Sequence, residues 1–278
     1  MKRRRVRGGI SQGIVIAVIV LLLFLMLYPL AMTLWGSFKN EFNYETTKLY
    51  PTLPLRVTNL SAAFPHIWRY IVNTVLVAAC SVTGTLFISS ISAYTFARMQ
   101  FVGKKALYTL VIAFMMIPGI LTLVPSYMLY DRLIGLDNYL VLIIPSIVGS
   151  CIFGIFLLRG FFEGLPEAVF EAARMDGARE FQVYAKVCLP MSMPIMGTLA
   201  IMQIVNIWND YMWPMITIQS DSLLTISAGL FLRFSTLTNI NYPILFSGYV
   251  LASLPLVLLF VFANKYYVEG LTSSAIKM

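Results

Sequence analysis

Six stretches of the chain are almost continuously apolar, 14–35, 71–97, 106–130, 139–158, 191–213 and 244–267, and polar residues gather in the segments between them. A helix rising 1.5 Å per residue crosses a hydrocarbon core of ~30 Å in about 20 residues, so each stretch is long enough to span a bilayer. Strands of a membrane barrel alternate apolar and polar residues over about ten positions, and these runs do not alternate. The pattern predicts an all-α membrane protein with six transmembrane helices in a single transmembrane domain, 1–278.

Pro118, Pro125, Pro145 and Pro255 lie inside four of the runs. Each removes an intrahelical hydrogen bond, so bends or breaks are expected there, either as packing kinks or where a polar path re-satisfies the backbone. The second run carries Ala78, Ala79, Ser81, Gly84, Thr85, Ser89, Ser92 and Ala93. Small residues at helical spacing let a neighbouring backbone approach closely, so this face is expected to pack against another helix. The segment 38–70, rich in Pro, Thr and Asn, reads as a loop or short cap, and His66 falls in it without a metal partner in the sequence.

Composition supports the membrane reading. Only 12% of the 278 residues are charged and 59% are hydrophobic, against roughly 25% charged in an ordinary soluble domain. The net charge of +8 raises the prospect of nucleic acid, but the basic residues sit in short segments between apolar runs, where a membrane explains them better. MKRRRVR before the first run imitates a secretory signal. That run, 14–35, exceeds a signal core of roughly 7 to 15 residues and shows no A-x-A-like site, so it is expected to be kept as the first span. Counting Lys and Arg on alternate sides gives fourteen on the side of the N-terminus, including Lys2, Arg98, Lys104, Lys105, Arg159, Arg174 and Lys277, and six on the other. The excess places both termini in the cytoplasm. Cys80, Cys151 and Cys188 lie far apart, with no CxxC and no adjacent His, and are expected to be packing residues.

The cytoplasmic segment between the fourth and fifth runs, 159–190, is the most informative. Pro166 suits a first helical turn, Glu167 and Glu171 place negative charge early in a helix, and Ala168, Ala172 and Ala173 are strong helix formers. Gly177 frees the chain to turn before a second stretch, 178–186. Phe170, Ala173, Phe181 and Tyr184 put apolar surface on a segment that should be solvated, as if a partner were to cover it. An amphipathic helix lying on lipid is the alternative.

This segment resembles the EAA loop of permease subunits in binding-protein-dependent ABC importers: Glu171, Ala172, Ala173, Gly177, Val187, Leu189 and Pro190 meet the signature in register, with Val187 where isoleucine is commoner. The likeness extends through NTVLVAACSVTGTLFISSISAYTFARMQFVGKKAL from Asn73, IPGILTLVPSYML from Ile117, WND at 208–210 and the ending VEGLTSSAIKM, all similar to the carbohydrate, maltose-transporter branch. That branch usually ends closer to GLTxGAVKG, from which Ser274 and Met278 depart. The resemblance implies a coupling helix seated in an ATPase subunit, with Glu167, Phe170, Glu171, Ala172, Ala173, Asp176, Gly177, Ala178, Val187 and Pro190 as coupling residues. It further implies as partners a second permease subunit, two ATPase subunits and an extracytoplasmic solute-binding protein.

No G-x-x-x-x-G-K-[ST] occurs, and VGKKA lacks its upstream glycine, so ATP and Mg are expected on the partner ATPase, with no cofactor or metal on this chain and no enzymatic activity of its own. The candidate solute path is Asn206, Trp208, Asn209, Asp210, Tyr211 and Trp213. Polar and aromatic groups side by side suit a sugar, although Trp and Tyr also form interfacial belts and Asp210 is also suited to a capping role. An ionisable residue so close to the bilayer makes Asp210 a functional candidate, with Tyr127 and Tyr130 as weaker ones. An ion-coupled carrier would need carboxylates in mid-span, and a membrane enzyme a clustered His/Asp/Glu or Ser/His arrangement; apart from Asp210 near the end of a run, the runs hold neither. The solute itself stays open between a sugar or oligosaccharide and a non-sugar such as glycerol phosphate.

Overall fold

The computed structural model describes residues 3–235 and 240–275, with side chains described for 12–232 and 240–263. Lys2, Lys277 and Met278 of the charge count and the C-terminal motif lie outside the described residues, and the side chains of Arg3, Arg4, Arg5, Arg7, Arg233, Lys265 and Ser274 lie outside the described side chains.

The described residues are mainly helical and contain no strand. In chain order the helices are α1 (Arg3–Ser37), α2 (Glu41–Thr46), α3 (Thr58–Arg98), α4 (Lys104–Met115), α5 (Gly119–Ile134), α6 (Leu140–Glu163), α7 (Glu167–Met175), α8 (Glu180–Val183), α9 (Leu189–Met191), α10 (Met193–Asn209), α11 (Met212–Thr217), α12 (Ile226–Ser235) and α13 (Tyr242–Ala275). A π-helical turn, Tyr184–Cys188, joins α8 to α9, and a 3-10 turn, Asp221–Leu223, precedes α12.

Four helices are each long and apolar enough to cross a membrane, within α1, α3, α6 and α13, and the total reaches six if each of two bent pairs is one span. The run expected as one helix over 106–130 is instead α4 and α5, bent by 99°. Pro118 sits extended at φ −60°, ψ 126° before α5. A proline disfavours helical backbone in the residue before it and supplies no amide hydrogen, so the break falls at 116–118. The run 191–213 also departs from a single helix: a bend of 73° separates Glu180–Met191 from Met193–Asn209, and α10 ends where Asp210 turns extended. Pro125, Pro145 and Pro255 are accommodated inside α5, α6 and α13.

Two compact units form, one from residues within Met1–Ile67 and Phe234–Leu254, the other from Trp68–Arg233 and Pro255–Met278. In the first, the segment after α1 is a tied cap rather than an open loop. Asn59 Nδ2 donates to the carbonyls of Ser37 and Lys39 at 2.8 and 2.7 Å, and Ser247 Oγ donates to Ser37 O at 3.0 Å. Lys39 is buried, with Nζ donating to Tyr50 O at 2.6 Å and to Thr47 O, and burial lowers its pKa. Tyr44 stacks on Tyr242 with centroids 5.2 Å apart. The helix expected to begin at 71 begins at Thr58, so His66 is helical rather than in a loop. Ala63 and Ile67, one turn apart, are fully buried, and this apolar spacing carries the helix outward past the polar residues.

In the second unit α3 is central. Ala78, Ser81, Thr85, Ser89 and Ala93 of its small-residue face are buried, while Ala79 and Cys80 are exposed, so Cys80 is not the packing residue expected, unlike Cys151 and Cys188. A Cβ added at Gly154 of α6 would lie 2.5 Å from Ser89 Oγ and 3.1 Å from Leu199 Cδ2, the close approach that small residues permit. Gly154→Val is expected to destabilise the fold by about 1–3 kcal/mol through overpacking, read as a lowered melting temperature of the detergent-solubilised protein.

The segment before α12 is fastened by polar side chains. Asn73 Nδ2 donates to Ser222 O and Leu224 O, both at 2.9 Å, and Ile226 N donates to Thr74 Oγ1 at 2.8 Å. Asp137, in the turn between α5 and α6, accepts from Gln219 N at 2.9 Å, Ser220 N at 2.8 Å and Ser220 Oγ at 2.5 Å. These bonds, that of the Ser220 hydroxyl first, hold its carboxyl below the usual 3.8. A depressed carboxyl stabilises the fold fully above its unfolded pKa, and that contribution is lost as pH falls through the folded value. Acidification from pH 5 toward pH 3 is therefore expected to loosen this clasp, and Asp137→Asn to flatten the dependence, measured by amide exchange of Gln219 and Ser220.

Candidate functional site

The 159–190 segment is built around one short helix and its exit. Pro166, extended at φ −60°, ψ 124°, is the residue before the first turn of α7 rather than within it. After Met175 the chain closes with Gly177 at φ +81°, where Gly177 N donates to Arg174 O at 3.0 Å and Ala178 N to Ala173 O at 3.1 Å. This pair of bonds is the Schellman ending of a helix, which needs a left-handed residue just past the last turn and satisfies two otherwise orphaned carbonyls. The spacing from Ala173 to Gly177 therefore has a structural cause: the glycine terminates the helix that Glu171, Ala172 and Ala173 build. A Cβ at Gly177 would meet nothing within 4 Å, so the requirement is conformational, not spatial.

The inner face of this hairpin packs on α3 and α6. Phe170 is fully buried and Tyr184 is 7% exposed, in a cluster with Ala93, Tyr94, Leu158, Phe162 and Val183. Both were expected among the residues displayed to a partner; they face inward instead, because the apolar stripe of so short a helix finds its cover in the bundle. Ala173 and Ala178 pack at the margin of the same cluster, as does Val187. The outer face shows Glu171, Ala172, Asp176 and Gly177 exposed, with Val169, Met175 and Phe181 as exposed apolar groups at 40%, 87% and 72%. Val169 and Met175 were not singled out in the sequence; their placement six residues apart, on either side of Glu171, is the signal that finds them.

A polar lattice fixes the hairpin. Arg98, the last residue of α3, pairs with Glu167, donates from its other terminal nitrogen to Phe162 O at 2.6 Å and Leu165 O at 2.8 Å, and lies over the Phe170 ring at 4.1 Å. Arg174 bridges Glu167 at 3.2 Å and Glu180 at 2.9 Å, and Tyr94 Oη donates to Glu180 Oε2 at 2.8 Å. Ser90 and Tyr184 share a hydrogen bond of 2.8 Å. Among the described residues no basic group pairs with Glu171 or Asp176, so the acids of the outer face keep their charge available. The stretch after α8 continues as a π turn, with Leu189 N donating to Tyr184 O. Pro190 follows directly, exposed, and lacks the amide hydrogen a regular turn would use.

The other candidate group divides between two faces of α10. Asn206, Asp210 and Trp213 line a cavity of about 310 Å³ together with Ser146, Ser150 and Thr225. Trp213 Nε1 donates to Val141 O at 2.8 Å, its amide to Asp210 Oδ1 at 3.3 Å, and its ring meets Tyr130 edge-on at 6.0 Å. Asp210 thus sits at the break between α10 and α11, facing hydroxyls and an amide. Beneath it, Gln203 Nε2 donates to Thr85 Oγ1 at 2.9 Å, a buried polar step not foreseen in the sequence reading. Trp208 is buried on the opposite side, lining an apolar hollow with Ile204, Pro255 and Leu259. Asn209 is exposed and donates back to Val205 O at 2.8 Å, and Tyr211 lies 5.5 Å from Phe231.

Comparison with known proteins agrees with the resemblance. Residues 85–273 match the family described as binding-protein-dependent transport system inner membrane component. The arabinooligosaccharides transport system permease protein AraQ of Bacillus subtilis (strain 168) is 31% identical, with 93% of each chain covered. AraQ of Halalkalibacterium halodurans is 30% identical over 91% of this chain and 92% of its own length. A chain from the crystal structure of a bacterial ABC transporter involved in the import of the acidic polysaccharide alginate superposes with a TM-score of 0.83 at 19% identity, covering 96% of this chain and 99% of that one, a likeness of fold.

Proposed function

The chain belongs to the binding-protein-dependent transport system inner membrane components, and we propose that it is the permease subunit of an ATP-driven importer of a sugar or oligosaccharide, coupled to its ATPase through α7. The observation that carries this reading is the two-sided hairpin: an inner face locked to α3 and α6, and an outer face of unpaired acids and exposed Met175 and Phe181. Methionine is flexible and polarisable, suited to a surface that must follow a moving partner. A partner ATPase hydrolyses the nucleotide; ATP and Mg belong there, and this chain contributes no catalysis. With a second permease it forms the translocation path, and an extracytoplasmic binding protein delivers the solute.

In this mechanism closure of the ATPase pair pushes α7 as a rigid body. The lattice of Arg98, Glu167, Arg174, Glu180 and Tyr94 transmits that push into α3, so the nucleotide-dependent contact biases two arrangements of the spans. The solute path is assigned to the Asn206, Asp210 and Trp213 side of α10, where hydrogen-bonding groups meet an aromatic ring as a sugar requires. The similarity to the arabinooligosaccharide permeases supports a carbohydrate.

Purification of the intact complex from native membranes tests the reading. An ATPase subunit and a second permease are expected to accompany the chain, and uptake of the sugar retained by the cognate binding protein is expected to require ATP. Uptake driven by an ion gradient without ATP contradicts it. Asp210→Asn is expected to lower the uptake rate at least tenfold while the complex's assembly is unchanged; normal uptake in this variant removes the cavity from the path.

A further inference from the structure

A second, strongly basic groove lies away from α7 and the α10 cavity, where the turn after α3 enters α4. It encloses about 1230 Å³ and is lined by Lys104, Lys105 and Arg159 at one end and by Tyr108, Leu110 and Ala113 along its wall. Arg159 lies flat on the Tyr108 ring at 3.8 Å and is held by Glu163 at 2.6 Å, while its Nε is buried without a hydrogen-bond partner. Lys104 Nζ donates to Met99 O at 2.9 Å, and neither it nor Lys105 has a carboxylate partner among the described residues. Three cations thus face one acid. The helix start they flank has Gly103 at φ +82° and no side-chain cap.

Below the cations, Leu107, Leu110 and Phe114 are half exposed at helical spacing, giving α4 an apolar outer face continuous with the groove. Positive charge above an exposed apolar stripe is the profile of an anionic phospholipid: a phosphate at the top, an acyl chain below. We infer that this groove is a binding site for one anionic phospholipid, its phosphodiester held by Lys104, Lys105 and Arg159 and an acyl chain laid along Leu110 and Ala113. Glu163 orients Arg159, and Tyr108 supports the guanidinium, which keeps a cation in the lining of the groove for a lipid oxygen. An acidic peptide would satisfy the cations but leave the stripe on α4 uncovered. The site depends on the chain lying in a membrane and not on which solute it carries.

Native mass spectrometry of the full importer complex in detergent, supplied with equal phosphatidylglycerol and phosphatidylcholine, tests this. Preferential retention of phosphatidylglycerol is expected, falling about fivefold for Lys105→Gln and further for Lys105→Gln with Arg159→Gln, since each cation near a surface contributes about 1 kcal/mol. Lys105→Arg is expected to retain the lipid, and Lys105 is exposed, so its substitution leaves folding intact. Unchanged lipid retention in the glutamine variants overturns the proposal. So does displacement of the lipid by millimolar inorganic phosphate, which marks a small-anion site, or loss of the ATPase subunit from these variants with the lipid count unaltered, which marks a protein interface.

Discussion

Gly177→Pro is expected to abolish solute uptake and transport-linked ATP hydrolysis while the subunit still inserts and assembles. Proline fixes φ near −65°, whereas the position requires +81°, and it removes the amide that donates to Arg174 O. The local cost is about 3 kcal/mol. A nine-residue helix has too little cooperativity to survive loss of its ending, so α7 should unwind at the end that carries Met175 and Asp176. Gly177→Ala separates the cause from simple bulk. With open space around the site, alanine meets only the strain of a left-handed residue, about 1–2 kcal/mol, and is expected to slow uptake without abolishing it. Uptake assays beside blue-native gels of the assembled complex read both results; full uptake in Gly177→Pro contradicts the role given to this turn.

The second large effect is expected at Arg98. Arg98→Met removes the donor to Phe162 O and Leu165 O, the cation over Phe170 and the pair with Glu167. Glu167 is half exposed, so the ion pair itself contributes little; the carbonyls of Phe162 near the end of α6 and Leu165 just beyond it, with the ring, account for most of the loss, about 2–4 kcal/mol in all. The hairpin then loses its tie to the end of α3, is left with the Tyr94 and Ser90 bonds to that helix, and keeps its outer face. ATP hydrolysis should persist while uptake falls at least tenfold, an uncoupled phenotype. Arg98→Lys, which keeps one charge but not the planar fork, should fall between. Equal loss of hydrolysis and uptake would mean that Arg98 serves folding alone.

Length and apolarity disclosed four helices long enough to cross a membrane and the apolar runs of two bent pairs, and the register of Glu171, Ala172, Ala173 and Gly177 disclosed the hairpin. The reason for the glycine is local: a helix ending written in four residues can be read from four residues. What the pattern could not show was direction. Phe170 and Tyr184 read as displayed because the segment was expected in water, yet the partner that covers them is the protein's own α6 and, many tens of residues away in the chain, α3. Arg98 and Glu180 escaped notice for the same reason, since an ion-pair lattice assembled from three helices leaves no spacing to detect. The break at 116–118 was foreshadowed by Pro118 but not singled out, because Pro125, Pro145 and Pro255 look alike in sequence and are absorbed within helices, and the break at Asp210 had no proline to announce it. Tertiary packing decides which prolines kink and which break.

The α10 candidates show a similar division. Six residues adjacent in sequence wind around a helix, so only Asn206, Asp210 and Trp213 share the cavity, whereas Trp208 points to the hollow beside α13. Ser146, Ser150 and Thr225 join from other elements, hydroxyls too common in apolar runs to stand out in sequence.

The coupling role of α7 is tested most directly by placing a cysteine at Met175, 87% exposed, in a Cys80→Ser background and treating the assembled importer with a short thiol crosslinker, with and without trapped ATP. The account predicts a covalent adduct with a cysteine-bearing cleft of the ATPase subunit, its yield changing with nucleotide. Absence of any adduct, together with protection of position 175 by lipid in the intact complex, would contradict it.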